Sequence, residues 1–275
     1  MHLYLKPSCE TSVLVRRSYD RIAGGYDQAW TTHMRDLSLE MLERLKVPSG
    51  SRCLDLACGT GFITGELARR SGARAVGIDA SDGMLAAARA AHGHACDFVQ
   101  ADALEYLRAC KGGSFDVVTC GWALGYSRPR AVLRQIARVL AGGGRVGIID
   151  NSLFSLAGVL AAACKVFAEK PQALAHAARV RFLSGPLSLR AAMRLSGLRV
   201  VAAWKGSRTY QVSDGAAALA RLTATGAAAG FEFAATDADR EAIFARFAEV
   251  MDERAGGEGV AFTHRYLAAV GVRPC

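Results

Sequence analysis

LDLACGTGFITGEL, residues 54–67, is the segment from which the rest of this 275-residue chain can be interpreted. An apolar run carries Asp55, and the chain then passes through Gly59 and Gly61 into residues with helical periodicity. Glycine lets the backbone turn tightly and lie against a ligand that a side chain would exclude. The segment therefore predicts a buried strand, a glycine turn that faces a ligand, and a helix.

Apolar segments and helical segments alternate on both sides of this turn. Strands are predicted at 52–57, 75–78, 97–100, 115–120 and 145–150, and helices at 63–71, 82–91, 104–109 and 130–140. Gly142 to Gly144 are expected to turn the chain into the fifth strand. Apolar strands that alternate with helices indicate a mostly parallel sheet with helices on both faces, which is an α/β fold.

The remaining segments are mainly helical and define four predicted domains. Residues 1–46 form an N-terminal helical lid, 47–150 the core, 151–197 a helical cap inserted after strand five, and 198–275 the segment that completes the sheet. In the last segment we expect strands at 198–204 and 260–270 and helices around 214–227 and 237–253. The apolar residues Phe154, Leu156, Val159 and Leu160 are expected to be shared between core and pocket, because a solvent-facing patch of that size promotes aggregation.

The glycine spacing resembles that of one enzyme family. Dinucleotide-binding turns need G-x-G-x-x-G, whereas residues 59–65 read G-x-G-x-x-x-G, with an acid four positions before the first glycine. This arrangement is similar to the S-adenosylmethionine (SAM) motif of class I methyltransferases. The resemblance implies a Rossmann-like sheet of seven strands, with SAM as the cofactor.

Two further acids follow at the ends of predicted strands. Asp79 ends the second strand twenty residues after Gly59, where a carboxylate can accept hydrogen bonds from both ribose hydroxyls. Ser81 or Asp82 can cap the helix that follows. Asp102 ends the third strand, where the family contacts the adenine amino group, although strand-end aspartates are also common helix caps.

The resemblance assigns a set of SAM-binding residues at the ends of successive strands. The N-terminal segment YDRIAGGYDQAW is also similar to a family element that folds over the methionine end of SAM, with Tyr19 and Tyr26 at its aromatic positions; the alternative is that both rings simply hold this helix to the core. The complete set is Tyr19, Tyr26, Asp55, Gly59, Thr60, Gly61, Asp79, Ala80, Met84, Ala101, Asp102, Ala103, Cys120 and Gly121.

The acceptor of the methyl group is left open by the sequence. The order of segments after residue 150 is similar to malonyl-carrier-protein carboxyl methyltransferases, a similarity shared with quinone and metabolite methyltransferases, so the acceptor is expected to be a small molecule or a carrier-bound acyl group. A carboxylate acceptor needs no base, whereas an amine, phenol or thiol does, and His33, Tyr210 and His264 are the candidates.

Two other functions on the same fold remain alternatives. One is a non-methylating enzyme that consumes SAM, for example by cyclising its aminobutyl arm, since fold does not dictate function. The other is an RNA methyltransferase, which a formal net charge of +9 permits. No Asn/Asp-Pro-Pro-Tyr-like sequence follows strand four, and no RNA-binding module is visible, so nucleic acid is not the expected partner.

Composition excludes several other classes of protein. With 51% hydrophobic and 21% charged residues the chain is expected to be globular, and the first twenty residues have no signal-peptide pattern. The eight cysteines form no C-x-x-C pair, so we expect no metal, no disulfide framework and a cytoplasmic protein. No apolar stretch reaches the roughly 20 residues that a membrane span needs.

Overall fold

The computed structural model describes residues 8–177, 179–227 and 229–275, so the first seven residues of the predicted N-terminal lid lie outside the described residues. Helices and strands alternate through most of the chain. The helices are α1 (Ser8–Ile22), α2 (Thr32–Leu45), α3 (Phe62–Ser71), α4 (Asp82–His92), α5 (Ala103–Ala109), α6 (Pro129–Val139), α7 (Ala157–Glu169), α8 (Pro186–Leu195), α9 (Gly215–Ala224) and α10 (Arg240–Ala255). The strands are β1 (Cys53–Leu56), β2 (Ala75–Asp79), β3 (Cys96–Gln100), β4 (Phe115–Gly121), β5 (Leu140–Asn151), β6 (Arg199–Val212) and β7 (Val260–Val272).

The strands form one seven-stranded sheet of order β3-β2-β1-β4-β5-β7-β6. The pairs from β3 through β5 are parallel, and β7 runs antiparallel to β5. The strand order reverses between β1 and β4, and in open sheets of this kind the ligand crevice lies beyond the carboxyl ends of the strands at that point. The α/β class and the seven-stranded, mostly parallel sheet predicted from the sequence are confirmed.

Local sequence accounts for where the helices begin and end. The Ser81 hydroxyl accepts a hydrogen bond from the Met84 backbone N–H and so caps α4. Pro129 occupies the first turn of α6, where its missing N–H costs nothing. Gly72 ends α3 in the left-handed conformation with φ of 68°.

The chain divides into two compact units. The sheet unit comprises Thr31–Leu153, Val180–Gly206 and Tyr266–Cys275. Its core holds buried residues of β1, β4, β5, α6 and α8, among them Leu54, Val118, Ile148, Ile136 and Met193. The second unit comprises the residues up to Trp30, Phe154–Arg179 and Ser207–Arg265. Its own core is built around α7, α9 and α10, with Val166, Leu222 and Phe247 among the buried side chains.

Residues 151–197, predicted as one helical cap, are divided between these units. Residues from Phe154 to Arg179, including α7, belong to the second unit, whereas α8 belongs to the sheet unit. Leu189 and Met193 of α8 are fully buried in the core of the sheet unit. These two helices therefore belong to different packing cores, which helical periodicity alone does not reveal.

Three expectations from the sequence differ from the structure. Phe154 is 57% exposed and Leu160 is 62% exposed, so the expectation that this apolar face is covered is wrong for these two residues. The strand predicted for 198–204 continues to Val212, where Thr209 bonds Thr263 through their hydroxyls, at 2.8 Å. The glycines at 142–144 lie within β5, at an irregularity where Phe115 pairs with Leu140 but Val117 pairs with Arg145.

Candidate functional site at the carboxyl edge of the sheet

The candidate site lies where β1, β2 and β4 end side by side in the sheet unit. Leu56, the last residue of β1, is in register with Ile78 of β2 and with Cys120 of β4. The residues that follow these positions, Ala57, Asp79 and Gly121, therefore lie along one edge. This edge is the reversal point of the strand order, where a ligand crevice is expected.

The turn after β1 is held in a conformation that favours glycine. Ala57, Gly59 and Gly61 have φ of 51°, 55° and 85°. A Cβ placed on Gly59 would meet no atom within 4 Å, so this side of the turn faces open space. Since no described residue fills that space, the missing side chain leaves the backbone free to approach a ligand.

The other glycines of the turn have a different reason to be glycine. A Cβ on Gly61 would lie 2.9 Å from Cζ of Phe98 and 3.2 Å from Cβ of Ala88. A Cβ on Gly65 would lie 2.7 Å from Nδ1 of His92. Gly61 and Gly65 thus allow α3 to pack closely against β3 and α4, and only Gly59 faces open space.

Asp79 connects the end of β2 to the glycine turn. Its Oδ2 accepts a hydrogen bond of 2.9 Å from the Gly59 N–H, and its Oδ1 accepts one of 2.9 Å from the Ser81 N–H. The residue is half-buried, so part of its carboxylate is within reach of a ligand. Because Ser81 caps α4, as the sequence suggested, the Asp79 carboxylate is not needed as the cap.

Asp55 is buried beneath the turn and bonded on both oxygens. It is 1% exposed, and it accepts hydrogen bonds of 2.8 Å from the Thr64 hydroxyl and 2.7 Å from the Thr119 hydroxyl. Burial raises the pKa of this carboxyl to about 7, against the lowering effect of the two hydroxyls. The acid of the glycine motif therefore joins β1, α3 and β4.

Asp102 is the helix cap that the sequence left as an alternative. Its Oδ1 accepts hydrogen bonds from the backbone N–H groups of Leu104 (2.9 Å) and Glu105 (3.0 Å) at the start of α5. Ala101 lies at the same edge, because its N–H donates to the Asp79 carbonyl at 2.9 Å. Of the other predicted contacts, Ala80 is exposed, Ala103 is partly buried, and Thr60 and Met84 are buried.

The end of β4 is closed by an aromatic residue in a rare conformation. Trp122 has φ of 62°, which is costly for a bulky residue, and its indole N–H donates to the Ser38 hydroxyl at 3.0 Å. Trp122 is 9% exposed and lies 6.1 Å from the ring of Tyr266. Cys120 is buried, which raises the pKa of its thiol well above the usual value, so it is an unreactive wall residue.

Asp150 is a site residue that sequence reasoning missed. It follows Ile149, the partner of Gly121, and its Oδ2 accepts a 2.7 Å hydrogen bond from the Gly125 N–H. Its Oδ1 accepts a 2.8 Å bond from the Asn151 N–H, and burial raises the pKa of the carboxyl to about 7. The signal was an acid at the end of an apolar strand, as at Asp55 and Asp79.

The predicted residues outside this edge are distributed between the units. Tyr19 and Tyr26 of the second unit contact each other edge to face, with ring centroids 5.9 Å apart. Tyr19 also packs on the turn at Gly226, where a Cβ would lie 2.7 Å from its ring. His33 is partly buried in α2 of the sheet unit. The structure thus brings the strand-end residues together, whereas Tyr19, Tyr26, Tyr210 and His264 belong to the other unit.

The two candidate bases of the second unit lie in one aromatic cluster. His264 is 2% exposed, with its ring 5.2 Å from Trp30 and 5.5 Å from Tyr210. Burial lowers the pKa of His264 to about 4, so it is neutral at neutral pH, and its Nδ1 has no hydrogen-bond partner in the described part of the chain. Burial raises the pKa of Tyr210, so its phenol stays protonated and does not act as a base.

Comparison with known proteins identifies the segment that carries this edge. A family described as methyltransferase domain matches residues 53–144, which run from β1 into the start of β5. Within the described residues, no group of three or more His, Cys, Asp or Glu side chains is placed to hold a metal ion. No helix among these residues is long and apolar enough to cross a bilayer.

Two curated relatives are similar to about half of the chain. It is 36% identical over 145 residues to 2-phytyl-1,4-naphtoquinone methyltransferase of Thermosynechococcus vestitus, covering 50% of this chain and 60% of the relative. It is 33% identical over 137 residues to the biotin biosynthesis bifunctional protein BioHC of Cellvibrio japonicus, covering 49% of this chain and 26% of the relative. The alignments thus span less than two thirds of either relative.

The fold is also that of solved methyltransferase structures. A putative methyltransferase from Bacillus halodurans superposes with a TM-score of 0.60 at 15% identity, covering 86% of this chain and 99% of the other. Three features are consistent with a methyltransferase domain. They are the strand order, the glycine turn followed by strand-end acids, and the family match. The chain thus contains a methyltransferase domain over residues 53–144, on a fold that it shares with solved methyltransferases.

Proposed function

We propose that this protein binds SAM at the carboxyl edge of β1, β2 and β4 and transfers its methyl group to a small-molecule acceptor. The observation that carries the proposal is the turn at Gly59. Its backbone faces open space on one side, and its N–H is held by Asp79, the residue that a ribose would reach. SAM supplies the methyl group as a sulfonium, which is an excellent leaving group.

In this proposal the residues of the edge bind and orient SAM. The Gly59 backbone lies along the methionine half, and the half-buried Asp79 carboxylate accepts hydrogen bonds from the ribose hydroxyls. Asp102 and its neighbours Ala101 and Ala103 hold the adenine. Asp55 and Asp150, both buried, keep the turns of the edge in place. Positioning is the main task, because an in-line displacement needs the nucleophile at roughly 3 Å from the methyl carbon.

We propose two classes of acceptor from the names of the relatives. One relative is named for a naphthoquinone and the other for biotin biosynthesis, so a reduced naphthoquinone ring and a carrier-bound acyl carboxylate are the two acceptors to compare. The ring needs a base for the proton that leaves, whereas the carboxylate needs only a neutralising cation. Of the candidate bases, only His33 belongs to the sheet unit, and the lowered pKa of His264 makes its imidazole a weaker proton acceptor.

The experiment has two stages. Calorimetric titration with SAM is expected to give saturable binding of one molecule per chain. Incubation with SAM and each acceptor is then expected to release S-adenosylhomocysteine. Release of methylthioadenosine from SAM alone would instead support the non-methylating alternative. Absence of SAM binding by the folded protein would refute the proposal.

A further inference from the structure

Helices α6 and α8 belong to two sequence segments that contain no acidic residue. Neither 127–149 nor 180–206 contains an Asp or Glu, although each contains several cations. These cations are Arg128, Arg130, Arg134, Arg138, Arg145, Arg181, Arg190, Arg194, Arg199 and Lys205. Both segments belong to the sheet unit, so the formal charge of +9 is concentrated in part on this unit.

The two helices pack against each other and expose one common face. Leu133, Ile136, Leu189 and Met193 bury their inner sides in the same core. Residues three and four apart share one side of a helix, and the outward positions of α8 follow this spacing. The α6–α8 face consists of Arg130, Arg134, Leu187, Arg190, Arg194 and Leu195, all exposed.

The arginines of this face have no counter-charge. Arg138, by contrast, donates to the Leu107 and Cys110 carbonyls and fastens α5 to α6. The side chains of Arg130, Arg134, Arg190 and Arg194 form no hydrogen bond or ion pair with any described residue. The neighbouring helix α5 adds exposed Glu105 and exposed Arg108, whose charges cancel. The face therefore has a positive field that nothing within the described chain neutralises.

Two leucines project from this basic face. Leu187 is 80% exposed and Leu195 is 75% exposed, among the highest values for large apolar side chains in the described chain. Side chains so exposed project into solvent beside the four arginines. Cations with protruding apolar tips fit a soft anionic layer into which the tips can sink.

We propose that the α6–α8 face docks this protein on the surface of an anionic lipid bilayer. The arginines lie against the lipid phosphates, while Leu187 and Leu195 enter the boundary between headgroups and acyl chains. The interaction is peripheral and reversible. It goes beyond the methyl transfer proposed above and does not depend on it.

The test is co-sedimentation of the full chain with vesicles of phosphatidylcholine, with and without phosphatidylglycerol. We expect binding only to the vesicles that contain phosphatidylglycerol, and weaker binding as salt is raised. The variant Arg190→Gln/Arg194→Gln is expected to lower the partition coefficient roughly 25-fold, because each cation near the surface contributes about fivefold. Leu187→Gln/Leu195→Gln is expected to lower it about tenfold or more, because two apolar tips no longer leave water.

A matched control variant distinguishes the effect of this face on vesicle binding from the effect of net charge. Arg16→Gln/Arg254→Gln removes two exposed cations of the second unit and is expected to keep nearly all vesicle binding. All these side chains are exposed, so circular dichroism and calorimetric SAM affinity should stay unchanged in every variant. A failure of vesicle binding is therefore distinguishable from a failure of SAM binding.

Three outcomes would overturn the proposal. They are absence of binding to the vesicles that contain phosphatidylglycerol, equal binding to neutral vesicles, and an equal loss in the control variant. Absence of vesicle binding together with saturable, Arg190- and Arg194-dependent binding of an acidic acyl carrier protein would assign the face to a protein partner instead.

Discussion

Single aspartates at the carboxyl edge of the sheet differ in what surrounds them. All three acids have both oxygens bonded to donors of the protein, but Asp55 and Asp150 are only 1% and 2% exposed. Asp79 is half-buried beside Gly59, where an added Cβ would meet no atom within 4 Å. Ligand contact is therefore expected of Asp79, and support of the turns is expected of the two buried acids.

Replacement of Asp79 by Ala is expected to weaken SAM binding roughly tenfold or more. The change removes one or two charge-assisted hydrogen bonds of about 1.5–3 kcal/mol each and releases the Gly59 N–H. Titration calorimetry measures the effect. The matched control is Asp97→Ala, which removes an exposed ion pair with Arg74 and should leave SAM affinity unchanged. Equal affinities of the Asp79 variant and the wild type would contradict the assignment.

Gly59→Ala and Gly61→Ala are expected to fail in different ways. A Cβ on Gly59 enters open space, so the variant should lose SAM affinity with only a modest loss of stability from its φ of 55°. A Cβ on Gly61 strikes Phe98 and Ala88, and overpacking adds about 1–3 kcal/mol of destabilisation. Thermal unfolding and SAM titration of both variants check this. If Gly59→Ala binds SAM normally, the turn is structural only.

At the scale of elements, the ends of adjacent strands are held in uncommon backbone conformations. Ala57 after β1 and Trp122 after β4 both have positive φ, and neither is glycine. Such residues cost of order 1–3 kcal/mol and persist only where neighbours hold them. After β4, Asp150 is one of the residues that stabilise the turn at Leu124–Tyr126. Its carboxylate accepts a hydrogen bond from the Gly125 N–H in that turn.

Replacement of Asp150 by Ala is expected to loosen this turn. The Gly125 N–H then lies buried without a partner, which costs about 1–3 kcal/mol of unfolding free energy. Hydrogen exchange should accelerate at the Gly125 amide more than at amides of β1 or β2. Asp150→Asn, whose amide oxygen can accept one of the two bonds, should lose less. Unchanged exchange at Gly125 would show that Asp150 does not hold the turn.

For the whole molecule, buried titratable groups make stability depend on pH. Burial raises the pKa of Asp55 and Asp150 to about 7, above about 3.9 in the unfolded chain. Each carboxyl therefore stabilises the fold fully below pH of about 4, and this contribution is lost as the pH rises to about 7. His264 acts in the opposite sense, since burial lowers its pKa to about 4. Its contribution is present above about pH 6.5 and lost on acidification.

Asp55→Asn is expected to reduce the loss of stability that the buried Asp55 carboxyl causes as the pH rises. Asn carries no charge at any pH, and its amide can bond the Thr64 and Thr119 hydroxyls. Between about pH 4 and pH 7 the unfolding free energy of the variant should rise relative to the wild type by on the order of 4 kcal/mol. Denaturant unfolding across this range measures it, with Asp97→Asn, at an exposed site, as control. Parallel curves for variant and wild type would contradict the shifted pKa.

Local sequence determined the class of fold and the position of the candidate site. The helix predicted at 63–71 is observed at Phe62–Ser71, and the strand predicted at 115–120 is observed at Phe115–Gly121. These elements are short-range consequences of apolar periodicity, glycine turns and helix caps, which neighbouring residues specify among themselves. The common location of the acids at strand ends could also be predicted from the sequence, because a parallel sheet places those ends on one edge.

Tertiary packing decided what local pattern leaves open. Gly59 and Gly61 look alike in the sequence, but only the position of Phe98, 37 residues beyond Gly61, distinguishes a glycine that faces open space from one that permits packing. Likewise, α7 and α8 are consecutive helices that enter different cores, and β6 continues past Trp204 because β7 offers it partners. Such contacts join residues distant in sequence, so their energies depend on the folded chain and are absent from any local window.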